Sequence, residues 1–216
     1  MSEAAKIEAP KIRVLSVDDH PLLREGIAAI INSQPNMELV GQAESGAGAI
    51  AAYRQYRPDV TLMDLRLPDM SGIEAMQAIL AEAAWARIVI LTTFEGDVEI
   101  QRAMEAGAQG YLLKSMPPKD MLEAIVRVHS GKKRIPPEVA AKLAEHMGEE
   151  SLTPREIDVL RELGGGNRNR DIAEILQISE ETVKVHVKHL MEKLGASDRT
   201  QAVAIALRRG IIQLEP

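Results

Sequence analysis

Val60-Thr61-Leu62-Met63-Asp64 is a short β-prone run that ends on a carboxylate, and the chain repeats that form three more times. Arg13-Val14-Leu15-Ser16-Val17 runs into Asp18-Asp19, Ile88-Val89-Ile90-Leu91 into Thr92, and Gly110-Tyr111-Leu112-Leu113 into Lys114. Between such runs the apolar spacing is helical, as with Leu22, Leu23, Ile27, Ile30 and Ile31 in the segment 21–33. Strands at 12–17, 38–43, 59–63, 88–92 and 110–113 therefore alternate with helices at 21–33, 47–56, about 72–82, 97–106 and 118–129. Five βα units in succession imply a parallel sheet with helices on both faces. In open sheets of this kind ligands gather just outside the carboxyl ends of the strands, at the point where strand order reverses. With acids on the first and third strands, the flavodoxin-like order 2-1-3-4-5 brings them to that point.

Such an edge collects Asp18, Asp19, Asp64, the Thr92 hydroxyl and the Lys114 ammonium. A hard cation such as Mg²⁺ takes oxygen ligands and keeps several waters, so two or three carboxylates suffice to hold it. A carboxylate can also attack phosphorus and form an acyl phosphate, which suits Asp64. The cation and Lys114 would then neutralise charge on the transferring phosphoryl group, and Thr92 would hydrogen-bond one of its oxygens. Any one of these residues alone reads as a solvated strand end. The set reads as a phosphoryl site.

Residues 11–130 resemble the receiver domain of bacterial two-component response regulators. The matching stretches are Val17-Asp18-Asp19-His20, Met63-Asp64-Leu65-Arg66-Leu67-Pro68 with Gly72, Leu91-Thr92-Thr93 and Gly110-Tyr111-Leu112-Leu113-Lys114. The resemblance implies Asp64 as phosphoacceptor, with Asp18 and Asp19 as acidic Mg²⁺-site residues and the Arg66 carbonyl as a further ligand. It also implies Thr92 and Tyr111 as a switch pair and Lys114 as the lysine that contacts the phosphoryl group. The side chains of Arg66 and Phe94 are expected to affect phosphoryl lifetime.

Composition bounds the remaining classes. The 216 residues suffice for two small domains, and the absence of Cys removes disulfides, thiolate metal sites and Cys nucleophiles, which fits a reducing cytosol. No stretch approaches the roughly 18 apolar residues of a membrane span, and the N-terminal Met1-Ser2-Glu3-Ala4-Ala5-Lys6 is no signal peptide. Residues 1–10 read as a disordered tail. The net charge of −6 is unevenly placed, with 12 Lys and Arg against 18 Asp and Glu in residues 1–130 and ten against ten in residues 151–216. A neutral C-terminal segment does not coat nucleic acid by bulk charge. It holds no Phe, Trp or Tyr, which argues against stacking on single strands or RNA.

Gly131-Lys132-Lys133-Arg134-Ile135-Pro136-Pro137 breaks the βα pattern, so residues 131–150 are expected to be a linker. Its basic trio reads as solvated, and 138–147 as a short helix with Val139 and Leu143 on one face, ended by Gly148. Thr153-Pro154-Arg155-Glu156 then combines an N-cap hydroxyl, Pro at the first helical position and Glu at the third. That helix carries Ile157, Leu160 and Leu163 and stops in Gly164-Gly165-Gly166. A second helix around 171–176, a tight turn at Gln177-Ile178, and Ser179 as N-cap of a helix over 180–194 make a helix-turn-helix. Val183, Val187, Leu190 and Leu194 share the core face, leaving Lys184, Val185, Lys188 and His189 on the other. Lys can reach guanine edges or phosphates, and a small apolar group can meet a thymine methyl.

Residues 151–212 resemble the LuxR-type helix-turn-helix through Leu152-Thr153-Pro154-Arg155-Glu156, Asn169-Arg170-Asp171-Ile172-Ala173 and Thr182-Val183-Lys184-Val185-His186-Val187-Lys188-His189. Joined to a receiver, this is the arrangement of NarL/FixJ response regulators. The resemblance implies a recognition helix at 180–194, with base-edge contacts from Lys184, Val185 and Lys188. It also implies a fourth helix at about 198–209, where Ala202, Val203 and Ala206 offer a face for pairing DNA-binding domains. Gly164-Gly165-Gly166-Asn167-Arg168 departs from the pattern: it is glycine-rich, and Arg168 stands where a Ser cap is common, so a mobile loop is expected. The expected protein is a cytoplasmic, non-enzymatic transcription factor. A sensor histidine kinase phosphorylates it, and it binds double-stranded DNA as a homodimer on activation. Two rivals are an aspartyl-phosphate hydrolase and a DNA-binding protein with a phosphate-independent receiver. The first usually has a second acid two residues after the nucleophile, where Arg66 stands, and the intact acidic set argues against the second.

Overall fold

A computed structural model describes residues 10–93, 96–145 and 150–212. The expected N-terminal tail, apart from residue 10, lies outside the described residues, as do Phe94 and Gly148. By internal contacts the chain forms two compact units, Met1–Thr93 with Arg102–Pro137, and Phe94–Gln101 with Glu138–Pro216.

The first unit alternates as its apolar pattern requires: β1 (Ile12–Val17), α1 (Pro21–Asn32), β2 (Met37–Ala43), α2 (Gly46–Tyr56), β3 (Val60–Met63), α3 (Gly72–Glu82), β4 (Ile88–Thr92), α4 (Asp97–Glu105, whose first residues fall in the second unit), β5 (Gly110–Leu113) and α5 (Pro118–His129). The strands are parallel in the order β2-β1-β3-β4-β5. Strands β3, β4 and β5 are buried along their whole length, which is why they read as continuous apolar runs. Alternation sends Val14, Leu62, Val89, Leu91 and Leu112 to one face, where Ile27 and Ile31 of α1 and Ile125 and Val128 of α5 cover them. Leu15, Met63, Ile90 and Tyr111 point to the other face, against which α2 lies with α3 beside it.

Two helix starts are tied to the strand ends. Ser71 and Glu74 form a reciprocal capping box at α3, and a Cβ on the next residue, Gly72, would collide with the Asp64 carbonyl oxygen. Only glycine lets the chain turn back so closely after β3. Asp69 in the same loop accepts from the Gly46 and Ala47 amides at 2.7 and 2.9 Å, clamping the loop to the N-terminus of α2. In the basic stretch after α5, Lys132 and Lys133 are exposed as expected, while Arg134 is half-buried. Arg134 adds a parallel bridge to the edge of β5, its amide donating to the Gln109 carbonyl and its carbonyl accepting from the Tyr111 amide.

After α6 (Pro137–Glu145), the second unit holds α7 (Pro154–Gly164), α8 (Asn169–Leu176), α9 (Glu180–Leu194) and α10 (Arg199–Arg209). Val159, Leu160, Leu163, Ile172, Val183, Leu190, Ala202 and Ala206 share its core. Two expectations change here. Ala202 and Ala206 are fully buried and Val203 packs beside them, so this side of α10 faces its own domain and offers no pairing surface. Small side chains at i, i+4 let α10 approach α7 and α9 closely; Arg199, Thr200, Gln201, Ala204 and Arg208 are its exposed residues. The glycine-rich loop is tied down: Asn167 donates from its backbone to the Glu162 carbonyl and from Nδ2 to Glu162 Oε2, and its own carbonyl accepts from Arg199. Arg168 offers no side-chain cap, but Asp171 Oδ2 reaches back to the Arg168 amide at 3.1 Å and marks the start of α8.

Candidate functional site

The carboxyl ends of β1, β3, β4 and β5 bring the expected residues together. Asp64 follows β3 and Asp18 follows β1; both are buried, at 3% and 1% exposed. The Lys114 ammonium lies between them, 2.6 Å from Asp18 Oδ2 and 2.7 Å from Asp64 Oδ2. Lys114 is delivered by a backbone bond to the Thr92 carbonyl, so the end of β5 is registered on the end of β4. Thr92 and Tyr111 are buried on these two strands. The Arg66 amide points at Asp64 Oδ1 from 3.4 Å, a long contact that puts residue 66 on the rim of the site.

The outer side of the site is Asp19, which is partly exposed, and His20. The His20 amide donates to Asp18 Oδ1 at 2.9 Å, while its Nδ1 lies 2.6 Å from Asp19 Oδ1 and 3.2 Å from Asp18 Oδ1. Oxygen or nitrogen atoms of Asp18, Asp19, His20 and Asp64 all fall within 4.8 Å of one another. This donor set is mostly carboxylate oxygen, which fits a hard divalent cation. His20 joins the site because it directly follows the acidic pair and precedes Pro21 at the start of α1, a position that sequence spacing alone does not mark as a ligand.

The electrostatics of the pair are asymmetric. Burial raises the Asp64 carboxyl above its usual range, and the neighbouring Asp18 adds to this, against the opposing pull of Lys114 and the Arg66 amide. At Lys114 burial works against the charge, but bonds to Asp18 and Asp64 outweigh it and the ammonium titrates higher than usual. At neutral pH the lysine is a fixed cation. It faces two carboxylates that would otherwise repel each other in a low-dielectric pocket.

In the second unit α8, the left-handed turn at Gln177 and α9 form a helix-turn-helix. Ser179 caps α9 by accepting from the Thr182 amide at 3.0 Å, and Gly195 ends it in the left-handed region. Val183, Leu190 and Leu194 are buried, and Lys184, Val185, Lys188 and His189 are exposed, as their spacing requires. Orientation of α9 depends on a tie that sequence spacing did not disclose. Lys193 reaches Glu156 Oε2 at 3.0 Å and Glu150 Oε1 at 3.1 Å, joining the end of α9 to the capping box that starts α7. Burial opposes the Glu156 charge, but the Thr153 amide and Lys193 overcome it and hold the carboxyl below its usual range.

Comparison with known proteins agrees with both halves. Residues 14–126 match the family model of the response regulator receiver domain, and residues 150–206 match that of bacterial regulatory proteins, luxR family. The chain is 44% identical over 214 residues to the transcriptional regulatory protein YxjL of Bacillus subtilis, a match covering 94% of this chain and 98% of that one. It is 38% identical over 207 residues to the response regulator VraR of Staphylococcus aureus, covering 94% and 99%. Among solved structures, RcsB of Salmonella enterica serovar Typhimurium, bound to a promoter in the presence of a phosphomimetic, aligns with a TM-score of 0.72 at 26% identity over 90% of this chain and 97% of that one. No described helix is long and apolar enough to cross a membrane. With a receiver fold, a helix-turn-helix and relatives matched along nearly their full length, the chain belongs to the DNA-binding response regulators of the LuxR family and is not an enzyme.

Proposed function

We propose that residues 11–130 act as a phosphoacceptor domain, 131–150 as a linker carrying α6, and 151–216 as the DNA-binding domain. Asp64 takes a phosphoryl group from a sensor histidine kinase: the bond from phosphorus to the kinase imidazole breaks as the bond to an Asp64 oxygen forms. The observation that carries this reading is the Lys114 ammonium set within hydrogen-bond reach of both Asp18 and Asp64. Held there, it can move from the carboxylate to a phosphoryl oxygen without leaving the site.

Asp18, Asp19 and Asp64, with the Arg66 carbonyl, would hold Mg²⁺. When bound, the ion supplies neutralising charge for the attack and for the acyl phosphate. Thr92 donates its hydroxyl to the new phosphoryl group, and Tyr111 follows on the adjoining strand. The modification biases a two-state receiver. Phosphorylation then favours a homodimer whose two α9 helices occupy paired half-sites in double-stranded DNA through Lys184, Val185, Lys188 and His189. RcsB, a structural relative, has been captured on a promoter in the presence of a phosphomimetic, which supports DNA binding by this architecture in that state. DNA as the ligand assigns its work to the cytoplasm.

Radiolabelled acetyl phosphate with Mg²⁺ tests the first step. Wild type should be labelled at Asp64, and Asp64→Asn or removal of Mg²⁺ should abolish the label. Equal labelling of the Asn variant would overturn the assignment.

A further inference from the structure

The DNA-facing stripe of α9 is not basic. Glu181, Lys184, Val185, Lys188 and Glu192 are spaced i, i+3, i+4, i+7 and i+11, so they lie along one side of the helix. Its two cations are each answered on the same helix. Lys184 Nζ is 3.3 Å from Glu181 Oε2 and 3.8 Å from Glu180 Oε1, and Lys188 Nζ is 3.7 Å from Glu192 Oε1. All of these side chains are at least half exposed, up to 79% for Glu181. Pairs as open as these contribute little to folding. Glu180 and Glu181 also favour the helix dipole from the first turn of α9; with carboxylates this exposed, a further effect falls on whatever approaches the stripe.

We propose that Glu181 and Glu192 are specificity determinants, which keep Lys184 and Lys188 from engaging random DNA while leaving them available to a cognate site. The proposal rests on the reading of α9 as the DNA-contacting helix. In a non-specific complex the attraction is almost wholly between cations and phosphates across retained water. Each carboxylate beside a lysine cancels part of that attraction within a Debye length of roughly 8 Å at physiological salt. At a cognate site the lysines make direct, partly desolvated bonds to base edges or phosphates, and an exposed carboxylate can swing away from its partner. Repulsion therefore weakens random binding more than specific binding, which is negative selection against the wrong ligand. The domain's balance of ten cations against ten anions leaves no surplus charge to override the effect.

The test uses the full chain treated with beryllofluoride, wild type against Glu181→Gln, Glu192→Gln and the double variant. Two duplexes are titrated by fluorescence anisotropy: one selected by wild type from a randomised library, the other of random sequence. The double variant should bind random DNA about tenfold more tightly at about 50 mM salt, with a log–log salt slope steeper by about one to two units. Its affinity for the selected duplex should rise by no more than about threefold, so discrimination falls. Unchanged affinity for random DNA in the double variant would overturn the proposal. Loss of affinity for the selected duplex alone in Glu181→Gln would make Glu181 a reader of a cytosine amino group and overturn its assigned role. Lys188→Ala controls for the underlying reading: if it changes neither affinity, α9 is not the DNA helix and the proposal falls with that reading.

Discussion

Replacing Lys114 by Ala should cost the first unit far more stability than replacing Asp64 by Asn, although both remove one end of the same ion pair. The buried cluster of Asp18, Asp64 and Lys114 carries two negative charges and one positive, and Lys114 Nζ lies 2.6 and 2.7 Å from the two carboxylates. Asp64→Asn leaves one cation against one carboxylate, with an amide that still accepts from Lys114. Burial already raises the Asp64 carboxyl, so losing its charge also relieves a desolvation cost. Because one cation and one carboxylate remain paired and the desolvation cost of the second carboxylate is removed, its net effect should be small beside that of losing the cation. Lys114→Ala instead leaves two buried carboxylates facing each other with no cation, and breaking a buried pair in this direction costs about 3–5 kcal/mol. Urea unfolding without divalent cation, followed by near-ultraviolet circular dichroism of the buried Tyr53 and Tyr111, reports the first unit. With a slope of about 1–3 kcal/mol per molar urea, the Lys114→Ala midpoint should fall by at least about 1 M. Millimolar Mg²⁺ should recover part of that loss, because it binds the folded acidic cluster. Equal midpoints for the two variants, or a Lys114→Ala midpoint at the wild-type value, would refute the charge argument.

Three further outcomes follow from local geometry. Asp69→Ala should accelerate hydrogen exchange at the Gly46 and Ala47 amides, whose acceptor it removes, while leaving exchange in α5 unchanged. Glu156 has a depressed pKa in the folded chain, so its contribution is present above the unfolded carboxyl value and lost as pH falls through the lower folded value. Acid titration of the second unit by circular dichroism should therefore show a loss of stability beginning below about pH 4.5, and Glu156→Gln should flatten that slope. Ala206→Leu overfills a fully buried site on α10 and should destabilise the second unit by about 1–3 kcal/mol in thermal melts. Ala204→Leu, on the exposed side, should leave the melt unchanged.

The sequence disclosed the sheet and its site together because both depend on short-range rules. Each strand end is marked where an apolar run meets a polar residue, and parallel βα topology sends all such ends to one edge. Asp18, Asp64, Thr92 and Lys114 could be grouped on that logic with no knowledge of distances. The Asp69 clamp, the Glu156–Lys193 pair and the edge bridge of Arg134 escaped it. They join residues 22 to 37 positions apart whose side chains have ordinary solvated readings, and no periodicity marks them. The α10 face failed for a different reason. Small residues at i, i+4 are equally suited to packing inside a domain and to pairing between domains, and only burial separates the two.

That correction bears on how DNA binding is controlled. If the buried side of α10 cannot pair domains, pairing through this helix has to use its exposed residues Arg199, Thr200, Gln201, Ala204 and Arg208. Such a strip is short and partly charged, so pairing through it should be weak in the free protein. The α9 stripe is likewise internally neutralised, so a single domain gains little from the general charge of DNA. In the proposed function, weak pairing and weak single contacts multiply if a receiver dimer holds two domains near one another. A second contact then forms at a local concentration set by the linker, which can raise affinity about 10²–10⁴-fold with no new kind of contact. On that proposed reading, phosphorylation acts as a strong switch through these modest surfaces, provided neither is strengthened alone. Adding cations to α9 or an apolar patch to α10 should each raise DNA occupancy by unphosphorylated protein, and gel-shift titration without beryllofluoride would detect it. A variant with the added cations that still depends on beryllofluoride as strongly as wild type would show that control lies elsewhere than in weak, paired contacts.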